Sequence, residues 1–179
     1  MDFNALMLER NARFVETTFD PHLKMMPSTG TIVVGCVDPR VDPVDVLGLK
    51  PGEAAVIRNV GGRVHKPLME TLAILRVLAK AAGREGGVRN LVLLHHTDCG
   101  IIGCYRHAPD LLARHMGVET EALEGLEITD PHKSVVLDIV ALRANPQLPD
   151  GIVVSGLVYD VAMGRVETVA PPAPLRQAG

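Results

Sequence analysis

Apolar and polar positions along this chain fall into blocks whose period switches between strand-like and helix-like. Residues 31–38 (TIVVGCVD), 54–62 (AAVIRNVGG) and 90–96 (NLVLLHH) are short, nearly continuous apolar runs bounded by turn-forming residues. That is the pattern of strands buried on both faces. From Pro67 to Ala82 the apolar residues Leu68, Leu72, Leu75, Val77 and Leu78 fall close to helical spacing, and Gly83 supplies a stop. A second helix is predicted near Ile101 to Met116 and a third from about Pro131 to Ala144, the latter capped by Thr129 or Asp130. Residues 151–160 (GIVVSGLVYD) and 164–170 (GRVETVA) read as two strands joined at Ala162 to Gly164, a turn that suits a hairpin.

The remaining segments punctuate this pattern. The first twenty residues place Leu6, Phe14 and Val15 among charged neighbours, predicting an amphipathic helix that ends before Pro21. Pro43, Gly48, Pro51 and Gly52 interrupt the connection between the first two strands, with a helical turn around Val44 to Leu47. Residues 117–130 read as a polar, Glu-rich link, and residues 171–179 (PPAPLRQAG) as an irregular end or an arm reaching a neighbour. Strands alternating with helices predict an α/β fold, a mainly parallel sheet with helices on both faces. The length of 179 residues suits a single domain, 1–179, with an N-terminal helical arm over 1–21 and a C-terminal tail over 171–179.

Composition narrows the function. No Trp, two Tyr and three Phe leave no aromatic platform for stacking bases, and a formal charge of −3 offers no cationic excess for phosphates. Nucleic acid is therefore not an expected partner. The N-terminal segment is charged throughout, and no apolar run approaches the ~20 residues of a membrane span, so the expected location is the cytoplasm, away from membranes. In a reducing compartment the three cysteines, Cys36, Cys99 and Cys104, favour thiol or metal chemistry over a structural disulfide.

In a parallel sheet, sites gather beyond the carboxyl ends of the strands. Cys36, Asp38 and Arg40 end one predicted strand, and His95, His96 and Cys99 end another about 60 residues later. Soft thiolates with an imidazole suit zinc, and three protein ligands keep a fourth position open. His96 and Cys99 have the two-residue gap that lets a tight turn aim both at one ion, and strand alternation sends His95 to the opposite face. Cys36 is the third candidate if the two strands are neighbours. An Arg40 fork on Asp38 would hold that carboxylate rigid and ionised. Cys104 reads as a buried thiol; as a fourth ligand it would close the site. The glycines after Arg58 form no GxGxxG dinucleotide loop, and His65 falls just past them.

The order GCVDPR, GEAAVIRNVGG, LLHHTDCG and VSGLVYDVAMGRV resembles the beta-class carbonic anhydrases over residues 30 to 170, and the compact length is similar to their short bacterial branch. The resemblance implies one Zn2+ per chain held by Cys36, His96 and Cys99, with Asp38 and Arg40 as a catalytic dyad. It implies a four-stranded parallel core with an antiparallel edge strand. It also implies a homodimer, embraced by the N-terminal helices, that can pair again into a homotetramer. The implied reaction is the reversible hydration of carbon dioxide to bicarbonate and a proton by zinc-bound hydroxide. Two alternatives keep the same ligands: a carbonyl sulfide or carbon disulfide hydrolase, and a non-catalytic zinc site closed by Cys104 or Asp38. A redox role for Cys99 and Cys104 lacks the Cys-x-x-Cys spacing.

Overall fold

The computed structural model describes residues 2–83 and 87–176. Five strands, β1 (Thr31–Cys36), β2 (Ala54–Asn59), β3 (Asn90–His96), β4 (Val153–Asp160) and β5 (Arg165–Pro174), form one sheet in the order β2-β1-β3-β4-β5. The first four are parallel and β5 is antiparallel to β4. The α-helices are α1 (Phe3–Thr17), α2 (Pro43–Val46), α3 (Lys66–Ala81), α4 (Ile101–His107), α5 (Pro109–Met116) and α6 (Pro131–Ala144).

Strand alternation divides the sheet's side chains between its two faces. Ile32 and Val34 of β1, Leu91 and Leu93 of β3, and Val154 and Val158 of β4 meet Leu68 and Leu72 of α3 and Val135, Ile139 and Leu142 of α6 in one continuous core. Burying each of these side chains contributes about 1.5–3 kcal/mol. Gly156 lets α6 approach closely, since a Cβ there would lie 3.0 Å from both Ile139 and Val135. On the opposite face Pro43, which opens α2, presses on Gly35 so tightly that a Cβ would stand 2.8 Å from its ring.

Capping explains where the core helices begin. The Asp130 carboxylate accepts from the backbone N–H groups of His132 and Lys133 at the start of α6, ahead of Pro131 in the first turn. His65 does the same for α3, its Nδ1 accepting from Leu68 N–H at 3.3 Å. His65 thus caps a helix, with its ring against that of His115.

Three expectations need correction. The helix expected over 101–116 is two, because Ala108 leaves helical geometry before Pro109, whose ring disfavours the helical region for the residue ahead of it. The Glu-rich link contains a 3-10 segment, Thr120–Leu126, whose Leu123 packs with Ile101, Leu112, Ala113, Met116 and Ile128 in a second core. Residues 171–174, expected as irregular tail, continue β5, and Leu175 is buried with its N–H donating to Ile152 O. A sheet edge accepts prolines because its outer row of backbone groups needs no partner. Residues 177–179 of that tail lie outside the described residues.

Candidate active site

β1 and β3 are neighbours with Gly35 opposite Leu94, so their carboxyl ends place Cys36 beside the two histidines. Beyond His96 the chain turns through Asp98, whose φ of 52° lies in the left-handed region, and returns Cys99 toward Cys36. Asp and Asn adopt that region more readily than other residues with a Cβ. The result brings one donor atom each from Cys36, His96 and Cys99 within 4.8 Å of one another. Thr97 anchors the turn to β4, its N–H donating to Tyr159 O and its hydroxyl accepting from Val161 N–H.

This donor set fits a tetrahedral zinc ion. Two thiolates at about 2.3 Å from zinc stand about 3.8 Å apart at the tetrahedral angle, and the Cys36 and Cys99 Sγ atoms are 3.8 Å apart. His96 Nδ1 is engaged by Thr97 O at 2.8 Å, while its buried Nε2 has no hydrogen-bond partner among the described residues. A hydrogen bond at one ring nitrogen that frees the other is how protein sites orient a histidine ligand. Without a metal, the three groups perturb one another. The hydrogen bond from Cys99, with His96 beside it, holds the Cys36 thiol well below the usual range, and the same bond together with burial pushes Cys99 up. Burial opposes protonation of His96, but the Cys36 thiolate outweighs it and raises the imidazole.

Asp38 and Arg40 lie on the loop leaving β1. Arg40 Nε and NH2 grip the Asp38 carboxylate at 3.1 and 2.7 Å, and the Arg40 backbone N–H donates to it at 2.9 Å. These bonds hold the Asp38 carboxyl down at about 2 and raise the Arg40 guanidinium. The five residues singled out from the sequence therefore converge at one sheet edge. His95 points away, as alternation requires: its Nδ1 meets Ser134 Oγ at 2.8 Å on α6, with Asp138 Oδ2 3.3 Å from Nε2. Cys104 lies against the second core, outside the three-residue cluster.

The geometry adds residues that spacing does not reveal. Arg58 on β2 donates from Nε to Cys36 O at 2.8 Å and from NH2 to Asp38 O at 2.7 Å, while Asp42 holds its NH1 at 2.5 Å. It pins the backbone of a candidate ligand and of the candidate catalytic carboxylate together. The signal for Arg58 in the chain is a charge directly after the apolar run AAVI. Asn59 ties the following loop, donating to Arg63 O and accepting from Arg63 N–H. Gly61 and Gly62 carry φ of 76° and 66° there, and a Cβ on Gly62 would strike the backbone of Gly35 and Cys36 at 3.1 and 3.2 Å. The glycine pair thus serves the close approach of two backbones at the Cys36 end of β1. Asp98 reaches Arg40 from the other loop.

The carbonic anhydrase family model matches residues 31–127, which span every residue of the cluster. Beta-carbonic anhydrase 1 of Mycobacterium tuberculosis is 34% identical over 160 residues, covering 86% of this chain and 90% of that protein. The crystal structure of carbonic anhydrase from Streptococcus mutans superposes with a TM-score of 0.73 at 33% identity, covering 94% of this chain and 98% of that one. A carbon disulfide hydrolase of Saccharolobus solfataricus is 23% identical over 167 residues, 78% of this chain and 77% of that protein. With the Cys-His-Cys cluster formed and these likenesses running over most of the chain, this protein belongs to the beta-class carbonic anhydrase family.

Proposed function

We propose that this enzyme catalyses the reversible hydration of carbon dioxide, with Cys36, His96 and Cys99 holding one zinc ion and Asp38 and Arg40 as the catalytic pair. The observation that carries the reading is the 3.8 Å thiol separation beside a buried, unpartnered His96 Nε2. When bound, zinc supplies a Lewis acid that makes water nucleophilic near neutral pH. Asp38, kept ionised by Arg40, is an acceptor only. It takes the hydrogen bond of the attacking water and thereby orients the lone pair aimed at carbon dioxide. Arg40 keeps that carboxylate in position, and Arg58 keeps the loop beneath it in register with Cys36.

The same cluster would serve a hydrolase of carbon disulfide or carbonyl sulfide, but the two relatives described above at more than 30% identity are carbonic anhydrases, whereas the carbon disulfide hydrolase is 23% identical. Stopped-flow hydration with a pH indicator near pH 8.5, on protein of known zinc content, tests the reading. Rapid hydration abolished by a metal-binding anion supports it. No hydration at one zinc per chain, with turnover of carbonyl sulfide or carbon disulfide, replaces it with the hydrolase.

The proposed assembly is a homodimer that can pair again into a homotetramer. α1 has no buried residue, and Phe3, Leu8, Phe14 and Val15 are exposed on it. That exposed apolar surface supports docking onto a second chain. No described helix is long and apolar enough to cross a membrane. The proposed location is the cytoplasm, where reducing conditions preserve a site built on two adjacent free thiols.

A further inference from the structure

We propose that Asp98 is a positioning residue for the Asp38–Arg40 pair, an inference that rests on the role given to that pair above. Arg40 sits on the 3-10 segment Pro39–Val41 with about half of its side chain exposed. A guanidinium on so long a stem, paired along one edge only, swings together with its carboxylate. Here it is paired along two edges. Nε and NH2 face Asp38, while NH1 donates to Asp98 Oδ2 at 2.9 Å and NH2 donates to Asp98 O at 2.9 Å. Four of the five N–H groups of Arg40 are thereby directed by two loops 58 residues apart in sequence.

The backbone of Asp98 is constrained: it occupies the left-handed position in the turn between His96 and Cys99, and its largely exposed carboxylate is held by Arg40. The clamp therefore ties Arg40 to the segment carrying two of the three donor residues. Asp38 is oriented toward the site by two routes, through the chain from Cys36 and through space from Asp98 by way of Arg40. Removing the second route leaves Asp38 on a guanidinium that turns with it.

The test compares Asp98→Ala, Asp98→Asn and Asp98→Glu with the unaltered, zinc-loaded chain, reading zinc content, the Arg40 Nε–H resonance, and kcat and KM for carbon dioxide. Asp98→Ala should keep its zinc, exchange the Arg40 Nε–H with water about tenfold faster, and lower kcat about three- to tenfold with KM little changed. Asp98→Glu should recover part of both losses. Asp98→Asn keeps a residue suited to the left-handed turn and separates the charge from the backbone conformation. Unchanged Nε–H exchange and kcat in Asp98→Ala would overturn the proposal. So would loss of zinc in Asp98→Asn, which would assign the residue to the ligand turn. A zinc-loaded parent without hydration activity would defeat the reading of the site instead, while Nε–H exchange would still report whether Asp98 holds Arg40.

Discussion

Arg63 and Asp138, 75 residues apart, form an ion pair in which only 2% and 5% of the two side chains is exposed. Nε and NH2 of Arg63 meet the two carboxylate oxygens at 2.9 and 3.1 Å, and Val64 N–H donates to Oδ2 at 2.9 Å. The pair joins the loop after β2 to α6, beside His95 and one residue from the candidate ligand His96. Removing Asp138 would leave a buried guanidinium without its counter-charge. Asp138→Ala should lower stability by about 3–5 kcal/mol, measured by urea unfolding of the full chain.

The same pair predicts an acid limit. Burial pushes Asp138 up, but the His95 imidazole 3.3 Å away and the hydrogen-bonded charge of Arg63 outweigh it and leave the carboxyl below its ordinary value. The unfolded chain therefore takes up this proton more readily than the folded one. The stabilisation is complete above the unfolded pKa of about 3.9 and is lost as pH falls through the lower folded value. Unfolding followed between pH 6 and 3 should show stability falling below about pH 4, and a parent curve that is flat there would contradict the assignment.

Arg40→Ala should keep zinc and lose most of the hydration rate, about a hundredfold, because Asp38 loses its orientation and its pKa returns toward 3.9. The parent Asp38 stays ionised throughout the working range, its carboxyl being held at about 2. Cys99→Ser, in contrast, should lower zinc content directly, since an alkoxide is not formed at neutral pH and a hydroxyl is a poor replacement for a thiolate. Metal analysis beside stopped-flow rates separates the two effects. Full turnover in Arg40→Ala would refute the role of the pair.

Proton release on metal binding should report the coupled thiols. In the metal-free site the hydrogen-bonded Cys36–Cys99 pair shares one proton near neutral pH, with Cys36 favoured as the thiolate. With a saturating metal-binding anion present to displace ionisable water, zinc binding at pH 8.5 should therefore release about one proton per ion, rising as pH falls through the raised His96 pKa. Calorimetry in buffers of different ionisation enthalpy measures this number. Two protons at pH 8.5 would mean that both thiols are protonated before the metal arrives.

Gly62→Ala tests the backbone contact behind Cys36. The substitution forces a side chain onto a φ of 66° and into the backbone of Gly35 and Cys36. It should cost about 2 kcal/mol or more and reduce zinc stoichiometry. Gly83→Ala is the control: its φ is 71°, yet nothing among the described residues lies within 4 Å of the added Cβ, so it should cost less and leave zinc content unchanged.

What could be read in advance follows a physical divide. β1 and β3 were legible because strands covered on both faces carry unbroken apolar runs, and the antiparallel edge because a short glycine-containing turn precedes it. His96 could be chosen over His95 because alternation in a strand is a local rule. The break at Ala108 was hidden by apolar residues that keep helical spacing on both sides of Pro109. The continuation of β5 through Pro171, Pro172 and Pro174 was hidden because tolerance of proline depends on whether a neighbour requires the backbone N–H.

The chain by itself determined the four parallel strands, most of the helices, the chemical types at the site and the spacing that joins His96 to Cys99, all matters of residues close in sequence. Tertiary structure alone decided that β1 and β3 lie side by side, so that Cys36 completes the cluster. It also decided that Arg58, Asp98 and the Arg63–Asp138 pair support the site, because each reaches its partner from another element. Sequence periodicity records which way a side chain faces along its own strand or helix. Which distant loop it faces is set by strand order and by the close approach that glycines permit.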